Sequence, residues 1–343
     1  MGDLPSLPQM SAYSRVAGVD TAMRLQSDEL SENVRSAKGT PVSKRNASRA
    51  ARARRHSAGI RGSQALNGLR FLWLEITPGC NLHCQHCYTE SSPLLKDPKI
   101  VDWEKVLRDA YRAGCRQVQF IGGEPTCNKQ LAQYVSTAHK LGYTFIEVYT
   151  NLTLLSERLA DQFRRYRVNL ATSFYSSLKE THEEVTGVEG SFERTVAGIQ
   201  YALRKKIPLR VGLVSMKTNE HDVAEAVKFL VGLGVDKGKI EIDHTRPVGR
   251  GSGIVKLQSL EETLCGQCWQ GKLAVSWDGS CYPCVFARRV MVGNLSKSSV
   301  GEIVRSEKLK TFRRRIFEHS RKRMYASGQE FLNRFLTLLS ETN

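Results

Sequence analysis

The stretch T-P-G-C-N-L-H-C-Q-H-C-Y, Thr77 to Tyr88, sets Cys80, Cys84 and Cys87 on one short loop in a C-x3-C-x2-C spacing, directly after the strand-like run Phe71 to Ile76. Three thiolates on such a loop can ligate three irons of a 4Fe-4S cluster and leave the fourth iron without a protein ligand. An open iron is a place for chemistry. A structural site is closed by a fourth ligand, as the contrast between closed structural and open catalytic zinc sites illustrates. The same loop offers His83 and His86. Either could complete a zinc site instead, and the three thiols could also be unrelated.

Outward along the chain, F-I-G-G-E-P, Phe120 to Pro125, again follows a short apolar strand. Gly122 and Gly123 carry no side chains, so the backbone there can approach a ligand closely and offer carbonyls to an ammonium group. Glu124 adds an anionic acceptor ahead of Pro125. Alone, such a turn would be a common one. In this order and separation, however, C-x3-C-x2-C and G-G-E-P resemble the two most specific motifs of the radical SAM superfamily. The resemblance implies an open iron that chelates S-adenosylmethionine through its amino and carboxylate groups. It also implies reductive cleavage of that cofactor to methionine and a 5′-deoxyadenosyl radical, which abstracts hydrogen from a substrate. A reduced flavodoxin- or ferredoxin-type electron donor is implied as a partner. Gly122, Gly123, Glu124 and Pro125 are then expected at the cofactor.

Composition agrees with an enzyme that buries a large core: 343 residues, 41% hydrophobic and 25% charged. No apolar run approaches the roughly 20 residues that span a bilayer, and a signal-peptide core is lacking. A cytoplasmic protein without membrane contact is expected. Nine cysteines in such a chain read as metal ligands rather than disulfides, because the cytosol keeps thiols reduced. Cys115 reads as a packed thiol, and Cys127, two residues past G-G-E-P, as a candidate neighbour of the cofactor. The net charge of +17 is uneven: residues 1 to 62 hold 11 Lys or Arg against 5 acids, and residues 285 to 343 hold 13 against 5. The basic run Lys44 to Arg61 has no apolar period and should be unfolded in isolation. It lacks stacking aromatics, which weakens a nucleic-acid reading. Met10 and Met23 offer alternative starts.

From Leu69 to His244 strands and helices alternate. Strands are expected at Phe71 to Ile76, Gln117 to Ile121, Thr144 to Thr150, Asn169 to Phe174, Leu209 to Met216 and Ile240 to Asp243. Helices are expected at Trp103 to Ala113, Lys129 to Leu141, Ser156 to Arg165, Ser191 to Lys205 and Asn219 to Leu233. This alternation predicts an α/β fold with a parallel sheet and right-handed crossovers. The resemblance makes it a partial (β/α)6 barrel with its reactive loops at the carboxyl ends of the strands, as in closed (β/α)8 barrels. Asn151 and Ser173 resemble, by strand order, positions that hold the ribose and methionine parts of S-adenosylmethionine. Either could instead cap local backbone. Ser215, Lys217, His244 and Arg246 fall at the later strand ends, where Arg246 suits a carboxylate or a brace at the barrel mouth. The segment His182 to Thr195 is similar to peptide-modifying members of the family, with Ser191 as a helix N-cap.

A third cysteine group, Cys265-x2-Cys268 and Cys281-x2-Cys284, flanks the run Leu273 to Trp277 and the Asp278-Gly279 turn. These read as the arm and tip of a β-hairpin that brings the pairs together. Four converging cysteines suit a tetrahedral zinc or an iron-sulfur cluster. The phrase A-V-S-W-D-G-S-C-Y-P-C followed by V-G-N-L looks like the auxiliary-cluster extension of SPASM and twitch radical SAM proteins, and this resemblance implies an auxiliary iron-sulfur cluster. Residues 285 to 343 contain no further cysteine, so at most one auxiliary cluster is supported. The expected organisation is a basic extension over 1–66, the barrel over 67–250, a cysteine-rich auxiliary domain over 251–304, and a basic helical extension over 305–343 with an apolar stripe at Phe331 to Leu339. The expected substrate is a ribosomally made peptide. The alternatives are a small molecule such as a sugar or cofactor precursor and, from another class, a non-catalytic metal-binding regulator.

Overall fold

The computed structural model describes residues 66–256 and 259–322. The basic run at 44–61 and the apolar stripe at 331–339 lie outside them. Six parallel strands stand side by side in chain order: β1 Phe71–Glu75, β2 Gln117–Ile121, β3 Phe145–Tyr149, β4 Asn169–Phe174, β5 Leu209–Ser215 and β6 Ile240–His244. All six lie within two residues of their sequence expectation. Helices α1 Trp103–Arg112, α2 Leu131–Leu141 and α3 Glu157–Arg165 fill the first crossovers, α4 Lys179–Thr186 and α5 Ser191–Arg204 the fourth, and α6 Val223–Gly232 the fifth. Alternation within each strand sorts the side chains. Leu72, Leu74, Val118, Phe120, Ile146 and Val148 are buried in the main core. Phe71, Trp73, Gln119 and Glu147 line an interior cavity.

The cysteine-rich segment is continuous with this sheet. Strand β7, Lys272–Val275, pairs in parallel with the free edge of β1, with Phe71 opposite Lys272 and Leu74 opposite Val275. Strands β8, Ser280–Tyr282, and β9, Gly293–Asn294, then add on antiparallel. The expected hairpin tip is present: Gly279 adopts φ 80°, and Gly279 N–H donates to the Ser276 carbonyl at 2.9 Å. After the short turn α7 Leu260–Thr263, helix α8 Val300–Arg305 begins with a Ser299–Glu302 capping box. The segment expected to be helical over 305–343 has a break at Ser306, where ψ is 142°, and continues as α9 over 307–322. Arg313 of α9 is fully buried and donates to the carbonyls of Leu66 and Gly68 at 2.9 Å and of Lys272 at 3.1 Å. It therefore clamps α9 to the starts of both β1 and β7.

Two local expectations change. Helix α4 has too few apolar residues for a periodic signal and was not expected; Ser191 is not an N-cap. Gly190, at φ 71°, holds the cap position and Ser191 is the first helical residue, its buried hydroxyl 2.6 Å from that of Thr186. Among the described residues no helix is long and apolar enough to cross a membrane.

His182 of α4 is 1% exposed, its Nδ1 lacks a partner, and its ring centroid lies 5.0 Å from that of Phe174 and 5.3 Å from that of Tyr175. Burial lowers its pKa to about 4. The unfolded chain therefore binds a proton that the folded one refuses between about pH 6.5 and pH 4. The stability contributed by neutral His182 is full above that window and is lost as pH falls through it. From pH 7.5 to pH 5 this one group should cost about 2 kcal/mol. His182→Phe should reduce the fall in melting temperature over that interval, and an unchanged fall would contradict the assignment.

Candidate active site

The loop carrying Cys80, Cys84 and Cys87 is fastened to the G-G-E-P turn, backbone to backbone. Gly123 N–H donates to the Thr77 carbonyl at 2.7 Å, and Glu124 N–H to the Gly79 carbonyl at 2.8 Å. The approach is so close that a Cβ on Gly123 would stand 2.2 Å from the Gly79 oxygen, and one on Gly122 would stand 2.5 Å from the Thr77 oxygen. These glycines are thus required first by loop-to-loop packing, a stronger demand than the ligand approach expected from sequence. Glu124 is 1% exposed and burial raises its pKa. Its carboxylate accepts from Thr126 N–H at 2.9 Å, Thr126 Oγ1 at 2.6 Å, Thr150 Oγ1 at 2.6 Å and Asn151 N–H at 2.7 Å. Three of these donors reach Oε1 and one reaches Oε2. Glu124 thus bolts the ends of β2 and β3 together while lining the cavity, and buried Pro125 starts the short 3-10 turn Pro125–Cys127 that holds it.

Asn151 and Ser173 both line the cavity. The Asn151 amide donates to Asn81 Oδ1 at 2.9 Å, and its oxygen accepts from Thr153 N–H at 3.0 Å and Thr153 Oγ1 at 2.7 Å. Much of that side chain is committed to the cysteine loop, as the capping alternative anticipated. Ser173 Oγ lies 3.1 Å from Tyr149 Oη. Cys115 is a packed thiol, buried against the Arg70 and Gln117 carbonyls. Cys127 is exposed and does not line the cavity.

A cavity of about 320 Å³ fills the barrel interior. Cys80, Cys84 and Cys87 line it, and so do Cys265, Cys268 and Cys284. Strand register sets the two groups at different levels. The first follows the carboxyl end of β1. The second sits near Lys272, which is opposite Phe71 at the amino end. Cys268 Sγ donates to Cys284 Sγ at 3.2 Å. A hydrogen bond from Cys268 lowers the Cys265 pKa against burial, and Lys272 and Arg246 add to the effect.

Cys281 departs from the expected quartet. It pairs opposite Val275, is fully buried in the barrel core, and points its thiol at the Gly279 carbonyl, 3.6 Å away. Cys284 packs instead with Cys268, Leu264 and Phe312. Cys281 lies within β8 and Cys284 in the bend just beyond it, and the two thiols pack in different clusters. Burial pushes Cys84 and Cys281 up to about 12 and Cys80 higher still. As free thiols these groups stay protonated. The thiol chemistry of the two cavity-lining trios matches an iron-sulfur ligand set, while among the described residues no three such side chains converge on a single metal ion.

Several site residues were not singled out from sequence. Glu75, 1% exposed at the end of β1, pairs with Arg288, four residues past Cys284. Arg288 lies over the rings of Tyr88 at 5.5 Å and Tyr282 at 5.1 Å, and Tyr88 meets Phe286 edge-on at 5.4 Å. This cage joins the two cysteine loops. Deeper in, Arg210 grips Glu147 through two 2.9 Å bonds, and Gln119 donates to the same carboxylate. The available signal was an ionisable or amide side chain inside an otherwise apolar strand: F-L-W-L-E, Q-V-Q-F-I and F-I-E-V-Y. Arg246 does brace the mouth, donating to the Thr263 carbonyl at 3.0 Å and pairing with Asp243 at 2.5 Å.

Three substitutions test this geometry. Gly123→Val should cost the barrel cysteines their iron, because the new side chain collides with Gly79 backbone and displaces the loop; iron at the parental level, measured after anaerobic reconstitution, would contradict it. Cys281→Ala should leave iron content unchanged, whereas Cys268→Ala should remove about four irons per chain. Equal losses in the two variants would restore Cys281 to the ligand set.

Comparison with known proteins matches the segments that carry these sites. The radical SAM superfamily profile matches residues 74–230, and an iron-sulfur cluster-binding domain, SPASM, matches residues 265–327. A protein of Sulfurisphaera tokodaii named "Probable GTP 3',8-cyclase" is 29% identical over 204 residues, 56% of this chain and 63% of its own length. A namesake from Saccharolobus islandicus is 29% identical over 210 residues, 57% of this chain and 65% of its own. The chain thus spans less than two thirds of these relatives. Among solved structures, Streptococcus suis SuiB bound to S-adenosylmethionine superposes with a TM-score of 0.60 at 16% identity, covering 84% of this chain and 78% of SuiB. The protein anSMEcpe, with bound AdoMet and a peptide, gives 0.55 at 19% identity, covering 73% and 83%. Barrel, cysteine loop, G-G-E-P turn and the second cysteine segment coincide with these matches: the chain belongs to the radical SAM superfamily, with a SPASM-type iron-sulfur segment built onto the edge of its barrel.

Proposed function

We propose that this chain reductively cleaves S-adenosylmethionine at a 4Fe-4S cluster on Cys80, Cys84 and Cys87 and uses the resulting radical to modify a peptide, in the maturation of a ribosomally made precursor. The observation that carries the proposal is the shared cavity, on which two cysteine trios open from different levels of one barrel wall. A substrate inside it would meet the radical source from one side and an iron-sulfur group on Cys265, Cys268 and Cys284 from the other. When bound, the barrel cluster supplies the electron that cleaves S-adenosylmethionine to methionine and a 5′-deoxyadenosyl radical.

The chain's own contribution is positioning. Gly122, Gly123, Glu124, Asn151 and Ser173 form the wall beside Cys80 and are the proposed S-adenosylmethionine contacts. Glu124 works by fixing that wall, and Pro125 by fixing Glu124. Apolar Phe71, Trp73 and Phe145 line the same interior, which keeps bulk water from a reactive radical. A reduced flavodoxin- or ferredoxin-type protein is the proposed electron donor, and a cytoplasmic setting suits both donor and thiols.

Charge favours a peptide over a nucleoside triphosphate. The cavity wall carries the cations Arg210, Arg246 and Lys272 against the carboxylates Glu124, Glu147, Glu241 and Asp243. Arg210 and Arg246 are already paired with Glu147 and Asp243. A triphosphate needs several uncommitted cations. Solved neighbours that span both cysteine segments include SuiB bound to precursor peptide SuiA. The second reading, a purine nucleotide substrate, draws on the names of the relatives that match 56% and 57% of this chain.

Anaerobically reconstituted protein given dithionite and S-adenosylmethionine should form 5′-deoxyadenosine, and Cys80→Ala, Cys84→Ala or Cys87→Ala should each abolish it. Undiminished cleavage in any of the three would sink the assignment. Added GTP should be recovered unchanged; its conversion would replace the peptide reading with the nucleotide one.

A further inference from the structure

Helix α9, 307–322, has two faces with different chemistry. Leu309, Phe312, Arg313 and Ile316 are buried, and Phe312 and Ile316 pack in one cluster with Cys268 and Cys284. Two more contacts seat the helix on the same loop: the Trp269 and Phe317 rings lie 4.8 Å apart, and Ser320 Oγ donates to the Gly266 carbonyl at 2.6 Å. One layer of side chains and the helix itself therefore separate the auxiliary thiols from the helix's outer surface. That outer surface is basic. Lys308, Lys310, Arg314, Arg315, Arg321 and Lys322 stand at least partly exposed, against Glu307 and Glu318. Glu307 approaches Lys310 at 2.9 Å and Arg314 at 3.2 Å, and Arg315 reaches Glu261. Such exposed pairs are weak and leave the local field positive.

We propose that the outer face of α9 is the docking surface for an acidic one-electron carrier protein of the flavodoxin or ferredoxin class, which exchanges electrons with the auxiliary iron-sulfur group through this helix. It rests on the reading that Cys265, Cys268 and Cys284 hold such a group, and it does not depend on S-adenosylmethionine cleavage. Charge and place both select this partner. Redox encounters are small, transient and steered by opposite charge, and here the cations stand over the redox site itself. In turnover the substrate loses a hydrogen atom to the radical, then one electron and one proton. The proton passes to solvent and the electron to the oxidised carrier, which is reduced by one electron.

The test uses the full chain with Cys80, Cys84 and Cys87 all changed to Ala, so that the auxiliary group is the chain's only iron. Iron content is confirmed first. Reduction by flavodoxin hydroquinone is then followed by stopped-flow absorbance, the flavodoxin giving up one electron and ending as the semiquinone. The rate should fall with added salt. It should fall about tenfold or more when Lys308→Glu, Arg314→Glu and Lys322→Glu are combined, while reduction by dithionite stays unchanged. If the reversal variant melts early, Lys308→Gln, Arg314→Gln and Lys322→Gln together should give a smaller loss of the same kind. A salt-independent rate, or equal rates in parent and variants, would overturn the proposal. So would loss of binding to a labelled single-stranded RNA at an unaltered flavodoxin rate, which would make α9 a nucleic-acid surface. Absence of 5′-deoxyadenosine from the parental enzyme would refute the proposed function and leave this measurement standing.

Discussion

The contact between the cysteine loop and the G-G-E-P turn is the constraint on which the rest of the site depends. Neither loop belongs to a strand, and each would have unpaired backbone if parted from the other. Together they exchange two backbone bonds, at 2.7 and 2.8 Å, with no room for a side chain at Gly122 or Gly123. The Glu124 carboxylate extends the lock to β3 through Thr150 and Asn151. Burying a carboxylate is tolerable only when it is well hydrogen-bonded, and here three donors reach Oε1 and one reaches Oε2. The cysteines are thereby held at the mouth of β1 to β3 by the sheet itself, which is more precise than a free loop.

A second restraint relates the two cysteine groups. Parallel pairing of β7 with β1 fixes the height of the auxiliary segment, and the Glu75–Arg288 pair inside its aromatic cage draws the chain after Cys284 back to the loop after Cys87. Removing one partner of such a pair leaves an uncompensated buried charge, which costs more than the pair itself contributes. Arg313 closes the opposite end by gripping three carbonyls from β1 and β7 approaches. The auxiliary segment is therefore an extension of the barrel wall, and its helix α9 shares a core with the cysteines it covers.

Much of this was legible in the sequence because it depends on local chemistry. The six strands are short apolar runs with helices between them, and that alternation has few topological solutions. The C-x3-C-x2-C loop and the G-G-E-P turn carry their meaning in spacing. What escaped depends on where partners lie. Helix α4 is held by three buried residues, His182, Val185 and Thr186, too few for a period. Glu75, Glu147 and Arg210 make sense only once β1, β3 and β5 are side by side. Cys281 was grouped with its neighbours by spacing and the expected hairpin, neither of which shows that its thiol packs in the barrel core while that of Cys284 packs with Cys268. The bolting role of Glu124 was not legible, because its donors come from residues up to 27 positions away.

The central claim is that two separate cysteine trios face one cavity in a single barrel wall. An anaerobic crystal structure of the reconstituted chain with S-adenosylmethionine, phased on iron anomalous scattering, tests it most directly. The account predicts two iron clusters, one on Cys80, Cys84 and Cys87 and one on Cys265, Cys268 and Cys284, with Cys281 unligated in the core. A single cluster, or Cys281 bound to iron with Cys265 or Cys284 turned away, would contradict it.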